Sequence, residues 1–297
     1  MITDIPSLLN KIASTKGQHT SATLFFRGQP ESYPQITPSI ARDGYLRNED
    51  VLFREFILRN PDEFSGEKST FEKLVKMQHY GLPTRLLDIT TNPLIALFFA
   101  VEKDDNKDGE FITFAIPNEK IKYYDSDTIS VVANVARRPI HSLDLRHLTQ
   151  DPTETDEVFL KNFNDSNQIQ YLLHEIKEEK PYFKDIIKKE HLEDIWCVKP
   201  LLKNRRIIKQ DGAFLLFGIH ETKEHMAEYS SFSPNCIPVK SAAKKNLTQD
   251  LKLLGISSDK IFPELDKTAE YLRNFYGTKK GPSSIIKTWI RSRCAHL

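Results

Sequence analysis

Between Ser69 and Tyr80, apolar side chains at Phe71, Leu74 and Val75 recur at the spacing of one helix face, and Gln78 continues that stripe. Ser69 and Glu72 have the capping-box spacing at its start, and Gly81 supplies its stop. Ile5 to Ile12 reads as a short amphipathic helix. Glu49 to Asn60 reads as a longer one, with Val51, Leu52, Phe53, Phe56 and Ile57 apolar and Pro61 ending it. Leu94 to Val101 is apolar on every side, which predicts a core helix; Thr91 or Asn92 caps it and Pro93 takes the favoured first position. Further helices are expected at Ser241 to Leu254 and Asp259 to Tyr276.

β-prone runs lie between these helices. Thr23 to Phe26 runs into Arg27-Gly28-Gln29-Pro30, a strand ended by a Gly/Pro turn. Arg85 to Ile89, Glu110 to Ile116, Thr128 to Val135, Arg206 to Lys209, Ala213 to Ile219 and Ile237 to Val239 read as further strands. Gln210-Asp211-Gly212 joins two of them and carries a hairpin signal. From about 137 to 200 the chain is polar, charged and helix-prone, which predicts a helical insertion between strands. The expectation is an α+β fold.

The 297 residues can bury a large core, as one domain of unusual size or as two. With 42 basic against 41 acidic residues the net charge is +1, which argues against a whole-protein field suited to duplex nucleic acid or an anionic membrane; a local basic patch stays open. Cys197, Cys236 and Cys294 form no CxxC pair, so no disulfide framework or cysteine zinc site is expected. No HxxxH or HxH pattern lies near His79, and no metal is expected. The longest apolar run, Pro93 to Val101, is less than half of the ~20 residues a bilayer span needs. The expected location is the cytoplasm, with no membrane partner.

Candidate chemistry concentrates in the segment from Gln78 to Thr90, where polar side chains crowd against the apolar run that follows. An unpaired buried polar group costs roughly 1–3 kcal/mol, so these groups either satisfy one another around a turn or converge on a ligand. Arg27 offers a planar fork for carboxylate or phosphate, and a structural ion pair with Asp88 would satisfy it equally well. Gly28 beside it lets backbone or ligand approach closely. His79 is a helix C-terminal cap or a catalytic base. Thr90 and Thr91 precede a helix start that can be capped by them or can receive an anion. No GxSxG, Walker loop or Rossmann glycine pattern occurs. Arg27, His79, Arg85, Asp88, Thr90 and Gln210 all sit at element ends and are expected to meet in one cleft.

These residues resemble the FRG-domain family, named for a Phe/Tyr-Arg-Gly motif. Phe26-Arg27-Gly28-Gln29 matches the name motif, and Pro38-Ser39-Ile40 with Arg42 follows. The run Gln78 to Asp88, then Thr90, Asn92-Pro93 and Ala96 to Ala100, matches the central block. Asn204, Arg206 and Gln210 to Phe214 resemble the late block, and Gly255-Ile256 with Phe262 to Leu265 the last. The resemblance implies a lead-in at 1–22, the domain at 23–276 and a tail at 277–297. The family occurs in bacterial and phage proteins.

A second similarity is to arginine-type ADP-ribosyltransferases. They too have an Arg-Gly at the end of a first strand, a Ser/Thr-bearing strand running into an Ala-x-x-Phe-Ala helix, and a polar motif on a late strand. It implies a split β-sheet surrounded by helices and NAD as substrate. Arg27, Gly28, Gln29, Arg85, Asp88 and Thr90 would hold the dinucleotide, and Gln210, His79 and Tyr80 would be catalytic. The chain departs from those enzymes in the late motif, where Gly212 stands at the place of the glutamate if Gln210 takes the first position. The implied function is a toxin or anti-phage defence protein acting by ADP-ribosyl transfer or NAD cleavage. A protein or nucleic-acid acceptor and a phage-derived trigger or antitoxin-like partner would go with it. Two alternatives stay open: a non-catalytic module recognising a nucleotide, nucleic acid or phage protein, and a nuclease-like toxin using His79, Arg85 and Asp88.

Overall fold

The β-prone runs assemble into one seven-stranded sheet in the computed structural model of the chain, which describes residues 1–103 and 106–264. In chain order the strands are β1 Ala22–Gln29, β2 Leu86–Thr90, β3 Gly109–Pro117, β4 Ile121–Tyr123, β5 Ile195–Lys199, β6 Gly212–Phe217, β7 Ile219–His220, β8 Thr222–Met226 and β9 Pro234–Val239. The sheet order is β4-β5-β6-β2-β1-β3-β9, parallel only between β4 and β5, and β7 with β8 forms a separate hairpin. β1 pairs with β3 along its whole length, from Ala22 opposite Pro117 to Gln29 opposite Glu110. β2 pairs as fully with β6, from Leu86 opposite Leu216 to Thr90 opposite Gly212. Between β1 and β2, however, the pairing is a single pair, Phe26 opposite Thr90. Two well-laddered halves therefore meet at a narrow seam.

One face of the sheet carries the helices. These are α1 Ile5–Gln18, α2 Glu49–Arg59, α3 Pro61–Phe64, α4 Thr70–His79, α5 Pro93–Val101, α6 Asp127–Asn134, α7 Asp156–Asp165, α8 Asn167–Glu179, α9 Lys189–Leu192, α10 Arg205–Lys209, α11 Ser241–Leu253 and α12 Ser258–Ile261. On the β2–β6 half, Leu86, Phe214 and Leu216 pack under Leu74 and Met77 of α4 and Ile129 and Val132 of α6. On the β1–β3 half, Phe26 and Phe111 pack under Ala96, Leu97 and Ala100 of α5, with Leu247 of α11 behind. The opposite face, with Phe25, Leu87, Ile89, Ile112 and Phe114, is covered by loop residues Ile36, Tyr229 and Phe232. α7 and α8 form a satellite core with Val131 of α6 and Val135 of the turn that follows it. No helix among the described residues is long and apolar enough to cross a membrane.

α4 starts where its capping box predicts. Ser69 Oγ accepts from Glu72 N at 3.2 Å, while Glu72 Oε2 accepts from Ser69 N at 3.2 Å and Lys68 N at 2.9 Å. Ser69→Ala removes one arm of this exchange and is expected to cost about 1 kcal/mol. Urea denaturation checks this; a midpoint equal to wild type would show that the box contributes nothing. α5 is capped by Asn92, whose Oδ1 accepts from Leu94 N at 3.0 Å, and Pro93 stands at its first turn as expected.

Two expected strands are helices. Thr128 to Val135 lies in α6 and the 3-10 turn after it, because its β-branched side chains are buried on two sides, and Ser126 Oγ accepts from Ile129 N at 3.3 Å. Packing against both cores outweighs the β-propensity of the run. Arg206 to Lys209 lies in α10, capped by Asn204, so Gln210-Asp211-Gly212 is a helix-to-strand corner and not a hairpin. Pro61 ends α2 and also opens α3. β4, β5 and β8 add strands that the periodicity did not reveal, and β5 runs through the sheet inside the stretch expected to be a helical insertion. The helix expected from Asp259 to Tyr276 is helical only to Ile261 among the described residues, and its part beyond Glu264, the 277–297 tail and Cys294 lie outside them.

Candidate functional site

The seam is crossed by one row of residues: Phe26 of β1, Thr90 of β2 and Gly212 of β6 stand side by side on adjacent strands. The candidate polar residues flank this row because each lies one or two positions along the chain from a member of it. Arg27 follows Phe26, Asp88 precedes Thr90, and Gln210-Asp211 precede Gly212.

Past the Phe26–Thr90 pair the two strands no longer pair, and the half-buried side chain of Arg27 bridges them, Nη1 donating to Asp88 O at 2.8 Å. Its Nε is buried without a hydrogen-bond partner among the described residues. Burial pulls the Arg27 pKa below the usual arginine value, opposed by the Asp88 carboxylate, and Arg42, Tyr229 and Tyr33 are close enough to act on it too. Arg42 lies over the Tyr33 ring, 5.6 Å from its centroid, and Tyr229 OH donates to Ile36 O at 2.8 Å. A second guanidinium thus stands within electrostatic reach of the first. The exposed Asp88 accepts from Gln78 Nε2 at 2.9 Å, and Gln78 Oε1 accepts from Thr84 Oγ1 at 2.7 Å. Gln78, which continues the apolar stripe of α4, is therefore a clamp between helix and strand.

On the other flank the corner is tied tightly. Thr90 Oγ1 donates to Gln210 O at 2.7 Å and accepts from Asn92 N at 3.0 Å. Thr91 N donates to Asp211 O at 3.1 Å, and Asn92 Nδ2 to Asp211 Oδ2 at 3.1 Å. Asp211 has φ +45°, a left-handed conformation that aspartate tolerates better than most residues. The Gln210 side chain reaches Ile261 O at 3.5 Å.

His79 and Tyr80 end α4, with their rings edge to face at 5.3 Å. His79 Nε2 is 3.7 Å from Glu264 Oε1; burial and the nearby Arg206 hold its pKa below the usual histidine value. Both residues line a cleft of about 270 Å³ between α4 and the Pro200–Ile207 stretch.

Three expected site residues are engaged in packing. Arg85 has 0% exposure: Nε donates to Glu49 Oε1 at 2.8 Å, Nη2 to Glu49 Oε2, and Nη1 to Phe217 O at 2.8 Å. Lys223 Nζ joins Glu49 at 3.2 Å, so the group is a buried triad with no surface for a ligand. Gln29 is buried and donates to Glu110 Oε2 at 2.7 Å. Gly28 lies directly under the α5 backbone. Arg27 with Asp88, and Thr90 with Gln210, come together along the seam; His79 and Tyr80 stand on the adjacent helix end; Arg85 does not join them. Glu49, Lys223 and Tyr229 carry no motif in the sequence, and only their placement marks them. Among the described residues no three His, Cys, Asp or Glu side chains are grouped to hold a metal.

Residues 22–109 match the family model of the FRG domain. The matched stretch holds Arg27, Gln78, Asp88, Thr90 and all of α5, while Gln210 and the late blocks lie outside it. No curated protein and no solved structure matches the chain.

Proposed function

We propose that the chain is an FRG-domain effector that uses NAD, transferring its ADP-ribose to a protein or nucleic-acid acceptor or cleaving it, as a toxin or anti-phage defence protein would. The observation that carries this reading is the seam. β2 and β1, which bear the middle and first motifs of the ADP-ribosyltransferase resemblance, are adjacent. The late motif forms the corner that leads into β6 on the other side of β2, and the sheet narrows to one pair beside Arg27. A half-buried guanidinium whose Nε has no partner among the described residues, and Arg42 within reach, suit a dinucleotide diphosphate, whose oxygens take charge-assisted, bidentate bonds from arginine. Cleavage breaks the bond between ribose C1′ and the nicotinamide nitrogen. The nicotinamide leaves neutral with the electron pair, and water or an acceptor hydroxyl adds to C1′ and gives up its proton. The Thr90 hydroxyl, engaged on both sides, fixes the corner between β2 and β6.

The test is nicotinamide release and calorimetric NAD binding by the purified chain. Arg27→Lys keeps the charge and loses the fork, and is expected to weaken NAD binding about ten-fold or more with the melting temperature close to wild type. A large fall in melting temperature with unchanged binding would make Arg27 a purely structural bridge between β1 and β2.

A second reading has its own support. The hydroxyl of Thr90 and the carbonyl of Gln210 bind each other, and the late motif supplies no glutamate. A module that recognises a nucleotide without turning it over fits that saturation. Tight NAD binding without nicotinamide release would select it, and neither binding nor release would remove both.

A further inference from the structure

The cleft between α4 and the turn leading into α10 is small, about 270 Å³, just under the roughly 300–1,000 Å³ typical of drug-sized ligand pockets. It has room for one ring system. Its floor is Phe71, Val75, Leu201 and Ile207. Phe71 is buried and packs edge-on against Phe214 of β6, with ring centroids 6.2 Å apart, so the floor is part of the rigid core.

The charges on the rim are already matched. Lys203 Nζ lies 2.7 Å from Glu72 Oε1, and Lys76 Nζ lies 3.2 Å from Glu63 and 3.4 Å from Glu67. Among the lining residues a charged ligand would have to break one of these pairs to find a counter-ion, whereas a neutral ligand leaves them intact; Arg206 nearby lies over the Phe262 ring, outside the lining. Two polar side chains remain to orient it. Asn204 Oδ1 caps α10 by accepting from Arg206 N at 2.7 Å, and its amide NH₂ donates to no described residue. His79 is depressed by burial and by Arg206, so near neutral pH its ring carries one donor and one acceptor nitrogen. The 3.7 Å separation from Glu264 is too long for a hydrogen bond. Tyr80, 59% exposed at the cleft mouth, presents an aromatic surface to pack on a ligand.

We infer that this cleft binds an uncharged heteroaromatic ring with a hydrogen-bond donor and an acceptor on one edge, the chemistry shared by nucleobases and nicotinamide. The ring packs between Tyr80 and the Val75–Leu201 wall, and its polar edge meets the Asn204 amide and the His79 imidazole. The site needs neither Arg27 nor any turnover of NAD.

Ligand-observed NMR and calorimetry on the full chain test it with adenine, cytosine and nicotinamide, and with benzoate and benzylamine as charged rings of similar size. At least one neutral ring is expected to bind with Kd below about 1 mM, and the charged rings about ten-fold more weakly or worse. Asn204→Asp keeps the helix cap and removes the amide donor; Tyr80→Ala removes an exposed ring. Each is expected to weaken binding about ten-fold with an unchanged melting temperature. Preference for a base or for nicotinamide identifies the source, and either supports the site. It is overturned if no neutral ring binds below about 10 mM, or if both variants bind as wild type. Nicotinamide release from NAD by wild type, measured alongside, reports on the seam separately, so failure there leaves the ring result standing.

Discussion

Gly28→Ala is expected to destabilise the fold by about 3 kcal/mol or more, at the upper end of the range for overpacked cores. A Cβ at this position would stand 1.7 Å from Ala96 O, 2.7 Å from Ala100 N and 2.8 Å from Ala96 C. All three are main-chain atoms of α5, so no side chain can rotate away; the helix itself has to lift off β1. α5 is poorly able to do so. Its N-terminus is fixed by Asn92 and by the Thr90–Gln210 corner, and Ala96, Leu97 and Ala100 are buried against the sheet. Gly109 on the neighbouring strand meets the same helix, with a Cβ there falling 2.1 Å from Ala100 O, so both strands beneath α5 are shaped for it. For a chain of this size the loss corresponds to a fall in melting temperature of roughly 6–12 °C. Gly66→Ala is the control: nothing lies within 4 Å of its added Cβ, and it is expected to stay within about 0.5 kcal/mol of wild type. A Gly28→Ala protein within 1 kcal/mol of wild type would mean that α5 floats on the sheet and that the close contact is not maintained.

This packing explains why the glycine of the Phe-Arg-Gly motif was legible in sequence as a site of close approach although its partner was not. The neighbour that demands glycine is a helix almost seventy residues further on. The same holds along the chain. Helix α4 and the cap of α5 were legible because their signals are local: Ser69 with Glu72, Asn92 with Pro93. α6 was not, since Ile129, Val131, Val132 and Val135 look like a strand until cores on two sides bury them. α10 is a single turn, too short to show a period, and only Asn204 marks its start. At the site, the polar cluster from Gln78 to Thr90 announced that its groups needed partners. Which partners they found depended on the third dimension. Asp88 offers Arg27 its carbonyl and Gln78 its carboxylate, and Arg85 turns away to Glu49. The seam itself left no trace in any one strand, because it is a failure of β1 and β2 to pair beyond one position.

Glu49→Gln is expected to cost about 3–5 kcal/mol, because it strips the anion that pairs with both cations of a buried group. Arg85 and Lys223 are both fully buried, and Glu49 faces Arg85 through two hydrogen bonds and Lys223 at 3.2 Å. Glutamine fills nearly the same volume, so the loss reports charge and not a cavity. The second variant is Glu49→Gln with Lys223→Met. Removing one stranded cation is expected to recover part of the loss, giving a total well below the sum of the two single changes. The pH dependence adds a signature. Burial pushes the Glu49 pKa up, but Arg85 and Lys223 outweigh it and leave the folded-state value depressed. Its contribution is therefore present above the unfolded-state pKa and is lost as pH falls through the folded value. Lys223 is depressed by burial, against the pull of Glu49. Its charged form opposes folding, so stability rises with pH between its folded and unfolded values. In Glu49→Gln the acid limb from this carboxylate should vanish. Lys223, without its anion, should shed its proton at lower pH, so the variant gains stability on the alkaline side earlier than wild type does. Urea midpoints measured from pH 4 to 10 check both limbs. A single variant that loses less than 1 kcal/mol and keeps the wild-type acid limb would show that water, and not Glu49, balances the two cations.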